Sequence, residues 1–178
     1  MNDGPVLRSA RLVLRAFRAG DIDDYAAIRA EPEVGRFIGG ILTSEQTWDR
    51  MAVMNGQWSL RGYGVFAIEL TSIGRVIGHA GLLHPIDWPG AEIAYSLGAA
   101  HWGQGLATEA ARTVRDWAFK SLALPALASF IDPSNARSVR VAEKLGAKRD
   151  GEVILRGHVA HRWTHVRPVP GHPPPGAA

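Results

Sequence analysis

One segment restricts the fold more than any other. The apolar run AEIAYSLG (91–98) leads through AAHWGQG (99–105) into LATEAARTVRDWAFKSL (106–122). In the last stretch Ala107, Ala110, Ala111, Val114, Trp117, Ala118 and Leu122 recur at helical spacing, with Arg112, Arg115 and Asp116 opposite. That is the pattern of an amphipathic helix lying on a core. A strand feeding a helix through a tight turn leaves the helix's unpaired N–H groups facing that turn. Gly103 and Gly105 remove side chains there, and Ala107 is small. The turn is therefore a candidate cradle for a phosphate or pyrophosphate held by main-chain groups.

The remaining elements follow from periodicity. ARLVLRAF (10–17) alternates as a half-buried strand. GDIDDYAAIRAEPEV reads as a helix with Asp21 as N-cap and Pro32 closing it. TSEQTWDRMAVMNGQWSLRG reads as a second helix capped by Thr43 or Ser44. Its stripe of Trp48, Met51, Ala52 and Trp58 is interrupted at Gly56, and core packing is the favoured role for its tryptophans. YGVFAIEL, RVIGHAGLLH and AEIAYSLG read as an antiparallel meander. ALASFID is a further strand, PSNARSVRVAEKLG a helix ending at Gly146, and AKRDGEVIL with HVAHRWTHVRP a closing hairpin. The expectation is one α/β domain over residues 1–167, with a mixed central sheet of about seven strands and helices on both faces. The Pro- and Gly-rich VPGHPPPGAA, within residues 168–178, reads as a flexible C-terminal extension.

Composition narrows the function. The 178 residues carry a net charge of +3 and no cysteine, so disulfides, thiolate metal sites and a cysteine nucleophile are excluded. The basic residues are scattered, without a nucleic-acid-binding motif, and no apolar run nears the roughly eighteen residues of a membrane span. Neither a nucleic-acid nor a membrane partner is expected. Charged Asp3, Arg8, Arg11 and Arg15 stand where a signal peptide needs an apolar centre, so the expected location is cytoplasmic. The seven histidines show no metal-ligand spacing, and no metal is expected.

The glycine turn is not a Walker loop, because no Lys follows it. It is not a GxGxxG fingerprint either, because Thr108 holds the third glycine position. WGQGLATEA resembles instead the acetyl-CoA signature of the GCN5-related N-acetyltransferase (GNAT) superfamily, Gln/Arg-x-x-Gly-x-Gly/Ala. Gly105 and Ala107 match its last two fixed positions, and Trp102 stands at the first, as in the branch of ribosomal-protein N-terminal acetyltransferases. NARSVRVAEKLGA is similar to that branch's Asn-x-x-Ser helix, with Ala147 replacing the usual Phe. LRSARLVLRAF and EPEVGRFIGG extend the resemblance to roughly residues 7–167.

The resemblance implies acetyl-CoA as co-substrate and direct attack of an amine on the thioester. Pyrophosphate would rest on the amides of Gln104, Gly105, Leu106, Ala107 and Thr108. The pantetheine arm would pair with Tyr95, Ser96 and Leu97, between splayed parallel strands AEIAYSL and ALASFID. Asn135 would hydrogen-bond near the pantetheine or thioester, and Arg140, with Arg137, is available to the adenosine phosphates. Glu92 is the candidate base, a role that partial desolvation would favour by raising its pKa. Ser138 is the candidate acid for the leaving thiolate, since this helix holds no Tyr. The acceptor wall would use Arg36, Phe37, Ile38 and Trp48, with Arg156 and His158 beyond. A protein N-terminal amine is the first expectation for the acceptor. A small amine such as an aminoglycoside or polyamine, or a non-catalytic acyl-CoA sensor, are the alternatives. The closing hairpin is a candidate for pairing two subunits as a homodimer.

Overall fold

Eight strands form one sheet in the computed structural model, which describes residues 4–122, 124 and 126–167; the middle strands β2, β3 and β4 are buried on both faces rather than alternating. In chain order the strands are β1 (Leu7–Arg8), β2 (Leu12–Arg15), β3 (Val65–Leu70), β4 (Arg75–Leu83), β5 (Glu92–Leu97), β6 (Leu127–Ile131), β7 (Lys148–Leu155) and β8 (His158–His165). The helices are α1 (Ile22–Arg29), α2 (Pro32–Gly35), α3 (Ser44–Arg61), α4 (Leu106–Ser121) and α5 (Ala136–Lys144). The sheet order is β1-β2-β3-β4-β5-β6-β8-β7, and every pair is antiparallel except β5–β6.

Strand alternation divides the core between two faces. Leu14, Phe66, Ile68, Ile93 and Leu97 pack with Leu106, Ala110 and Val114 of α4. Val65, Ala67 and Val76 point the other way, to Tyr25 of α1 and Met51 and Met54 of α3. α5 buries Ala142 against Ile131 and Trp163. Trp58, at the end of α3, is 1% exposed and meets Phe66 and Trp117 with ring centroids 4.7 and 5.7 Å away.

Several local expectations change. β1 is an eighth strand, two residues long, too short for an alternation to show; it pairs Leu7 with Leu14 and Arg8 with Val13. Pro32 does not close α1, which ends at Arg29. It opens α2 instead, where its missing N–H is no loss. Asp21 makes no side-chain cap bond to α1, because its carboxylate binds buried Arg15 at 2.7 and 2.9 Å. Gly56 does not break α3. The reciprocal Thr43–Gln46 cap and buried Met51, Met54 and Trp58 outweigh the roughly 1 kcal/mol that a helical glycine costs. The buried stripe runs through Thr47, Met51, Met54 and Trp58, leaving Ala52 exposed and Trp48 49% exposed. Trp48 is therefore not a core residue. Arg115, expected on the solvent face, is 5% exposed and donates to the Leu145 carbonyl at 2.6 Å, tying α4 to the end of α5. The expected extension 168–178 lies outside the described residues.

Candidate active site

The site begins where two parallel strands part. β5 and β6 share one register pair, Glu92 with Ala128, reinforced by the Ala128 N–H to the Ala91 carbonyl at 3.3 Å. One residue further along β6, the Ser129 hydroxyl rather than a backbone N–H reaches the Ile93 carbonyl, at 2.9 Å. The Leu97 carbonyl on the same edge accepts from the Trp102 indole at 2.9 Å. Residues of one parity share an edge, so the Tyr95 peptide groups face the gap between these two contacts. Ser96 lies on the alternate parity, paired with His79 on β4.

The loop after β5 is held from below and open above. Trp102 is pinned by Leu97, and the Gln104 side-chain amide donates to the Ala100 carbonyl at 3.0 Å. Gly105 is the residue before α4, with φ +76°, a left-handed conformation that disfavours any side chain. A Cβ there would meet only an Arg11 guanidinium nitrogen, at 3.6 Å. Leu106 is 1% exposed and buries its side chain in the core, so only its N–H faces the turn; Ala107 and Thr108 are half-buried.

Arg11, which the sequence pattern does not single out, organises this loop. It donates to the Gln104 carbonyl at 3.0 Å and pairs with Glu109 at 2.7 Å. Burial works to raise the Glu109 carboxyl, but hydrogen bonds from Ser9 and from the backbone and side chain of Arg11 hold it below its ordinary value. Arg11, Gly105, Thr108, Arg112 and Lys144 line a cleft of about 460 Å³ beside the loop. On its other flank the Arg137 guanidinium lies 4.0 Å from the centre of the Trp102 ring. Arg140 is on the exposed face of α5.

Glu92 is half-buried on the face of β5 opposite α4. Burial pushes its carboxyl up to about 7, against hydrogen bonds from the Trp88 indole at 2.7 Å and the Phe130 N–H at 3.4 Å. Tyr95 reaches across to α5 and donates to the Ser138 carbonyl at 3.1 Å. Burial raises the pKa of that hydroxyl and keeps it protonated. Asn135 caps α5 by accepting from the Ser138 N–H at 3.2 Å, so Asn135 and Ser138 share the first turn that Tyr95 touches.

The expected acceptor residues are only partly gathered. Arg36 follows α2 and lies 5.0 Å from the Phe37 ring centre. Hydrogen bonds from the Ser134 hydroxyl and N–H hold the Asp132 carboxyl below its ordinary value, with the charges of Arg36 and His158 adding to them. Asp132 follows β6, so Arg36, His158 and the end of the gap share one neighbourhood. Arg29 positions the loop after Phe37 through the Ile38 and Gly40 carbonyls at 3.3 and 3.1 Å. Nothing in the hydrogen bonding links Trp48 to this group among the described residues. Trp88 and Asp87 were not legible as site residues, because an isolated WP in a loop carries no periodicity. Among the described residues there is no group of three or more His, Asp or Glu arranged to hold a metal, and no helix long and apolar enough to cross a membrane.

Comparison with known proteins identifies the family. Residues 11–148 match the family model for the acetyltransferase (GNAT) domain. A Bacillus licheniformis protein named an uncharacterized N-acetyltransferase, p20, is 32% identical over 157 residues, covering 85% of this chain and 86% of that one. The crystal structure of an acetyltransferase from Agrobacterium tumefaciens is 32% identical, with a TM-score of 0.82 over 92% of this chain and 95% of that one. RimL, a ribosomal L7/L12 α-N-protein acetyltransferase solved with coenzyme A, shares the fold at 16% identity, with a TM-score of 0.77 over 92% and 98% of the two chains. The chain belongs to the GNAT family and is an acetyltransferase that moves an acetyl group to an amine.

Proposed function

We propose that the chain takes its acetyl group from acetyl-CoA and passes it directly to a primary amine, with Glu92 as general base. The observation that carries this reading is the single β5–β6 register pair at Glu92, beyond which the strands part beside a carboxyl poised near neutrality. The N–H groups of residues 104–108 would hold pyrophosphate, and Arg11, Arg112 and Lys144 supply positive charge beside them. The Tyr95 peptide groups would pair with the amides of the pantetheine arm; Ser96, expected beside it, turns its peptide groups to β4 instead, and the Leu97 carbonyl is taken by the Trp102 indole. Arg137, fixed over Trp102, and Arg140 are within this surface of α5 for the adenosine phosphates.

In the reaction the amine loses its proton to Glu92, directly or through a water, as nitrogen bonds to the thioester carbon. A base with a pKa near the working pH contributes typically 10²- to 10⁴-fold. A β5 backbone N–H at the gap would stabilise the developing oxyanion. The departing thiolate takes a proton relayed through the Ser138 hydroxyl, which recovers one from solvent as Glu92 releases the amine's proton there. Ser138 lies in the first turn of α5, where Tyr95 donates to its carbonyl.

The acceptor in this reading is a protein N-terminal amine, supported by the motif resemblance and by the fold shared with RimL. Arg36 and Phe37 would form part of its wall; Trp48 is not brought to them. The test is thiol release from acetyl-CoA against peptides with free Ser, Ala or Met ends, polyamines and aminoglycosides. The chain has no cysteine to react with the thiol reagent. Release with the peptides alone supports the reading, and release only with small amines replaces the acceptor class.

A further inference from the structure

The two-residue turn between β7 and β8 breaks a local rule. Leu155 pairs with His158, leaving Arg156 and Gly157 as the turn, with φ +51° and +83°. Turns of this kind favour Asn-Gly or Asp-Gly, because a long side chain is strained at positive φ. Arg156 is the only non-glycine residue with positive φ among the described residues. Strain of this sort persists where the side chain has something to hold.

What Arg156 holds is the loop before Glu92. Its guanidinium pairs with Asp87 at 3.1 Å and lies 5.0 Å from the centre of the Trp88 ring. The Trp88 indole in turn donates to Glu92 Oε2 at 2.7 Å. A continuous path thus runs from the hairpin turn, through the β4–β5 loop, to the candidate base. We propose that Trp88 is a positioning residue that fixes the Glu92 carboxylate toward the gap, and that the Arg156–Asp87 pair clasps the hairpin to the loop to hold Trp88 in place. This rests on the reading of Glu92 as base.

The charged and titratable groups on the surrounding elements are few. β4 is followed by His84, which is hydrogen-bonded to Tyr63 at 2.8 Å. β5 itself carries Tyr95, and β6 is followed by Asp132, near Arg36 and His158. The β4–β5 loop and the hairpin supply Asp87 and Arg156. None of these makes a hydrogen bond to Glu92, whereas Trp88 does. An indole N–H favours the charged carboxylate, so removing it raises the pKa of Glu92.

Trp88→Phe keeps a ring beneath Arg156 and deletes only the donor. The acid limb of the kcat/KM profile should move upward by roughly half a unit to one unit. Arg156→Asn suits the turn, so it should leave the melting temperature unchanged or raised while moving the limb the same way by less. An activity-independent readout is the pH-dependent part of tryptophan emission. It should titrate with a midpoint near 7 and vanish in both Trp88→Phe and Glu92→Gln. An acid limb and emission unchanged in Trp88→Phe would overturn the positioning role while leaving Glu92 as base. A wild-type limb absent near neutrality, with no emission change, would overturn both.

Discussion

Glu92 stands opposite Ala128 in the one register pair that joins β5 to β6, and two residues along β6 the Phe130 N–H turns to the Glu92 carboxylate. The strand separation and the candidate base therefore arise at the same place. Where β6 stops pairing with β5, its backbone begins to hold the side chain that the chemistry needs. Burial at this junction lifts the carboxyl to about 7, and the two N–H donors keep its ionised form within reach of neutral pH.

The activity should consequently rise with pH through about 7, as Glu92 becomes able to accept a proton. Stability should run the other way. The folded carboxyl binds its proton more tightly than the unfolded one, so stability falls as pH rises from the ordinary carboxylate range to about 7. Glu92→Gln should flatten that decline, checked by urea titrations at about pH 5 and about pH 8.

Gly105→Glu should weaken acetyl-CoA binding by tenfold or more, on the order of 1.4 kcal/mol. It puts negative charge at the turn where α4 presents its N–H groups. Gly105→Ala separates backbone from charge. Its Cβ would meet only ordinary contact, so the strain of φ +76° accounts for a loss of about 1 kcal/mol in stability. Calorimetric titration of both variants, with thermal melts, resolves the two effects.

Arg11→Leu should weaken acetyl-CoA binding roughly tenfold by releasing the Gln104 carbonyl and leaving Glu109 uncompensated beside the loop. The stability loss should stay near 1 kcal/mol, because the guanidinium is half exposed. Arg11→Lys should recover part of the charge effect but not the two-sided geometry. A binding loss equal for Leu and Lys would assign Arg11 to the loop's shape alone.

Trp58→Ala should cost about 3–5 kcal/mol, from the cavity left between Phe66 and Trp117. Equilibrium urea unfolding measures it. A loss below about 1 kcal/mol would mean that these rings collapse onto one another.

The sequence made some of this architecture legible and hid the rest for physical reasons. The α4 stripe and the apolar runs of β3, β4 and β5 are repeated signals, and the helix and the three strands appear as expected, with β3 and β4 buried on both faces. The glycine turn could be placed before α4, because Gly105 has few other uses there. Arg11 could not be assigned to the same loop, since its partners Gln104 and Glu109 lie more than ninety residues away in the chain. Arg115 looked solvent-exposed because a helical wheel does not show that the Leu145 carbonyl caps it from α5. Glu92 was nominated by its strand position and the family resemblance. Trp88, four residues earlier, carried no periodic signal, and only the folded loop brings its indole to the carboxylate.

The central claim is amine acetylation at the β5–β6 gap with Glu92 as base, and thiol release from acetyl-CoA by wild type and Glu92→Gln tests it most directly. Both proteins should bind acetyl-CoA equally by calorimetry, while the variant turns over an accepted amine on the order of 10²-fold more slowly at neutral pH. Equal turnover by the two proteins, at equal acetyl-CoA binding, would contradict the assignment of Glu92.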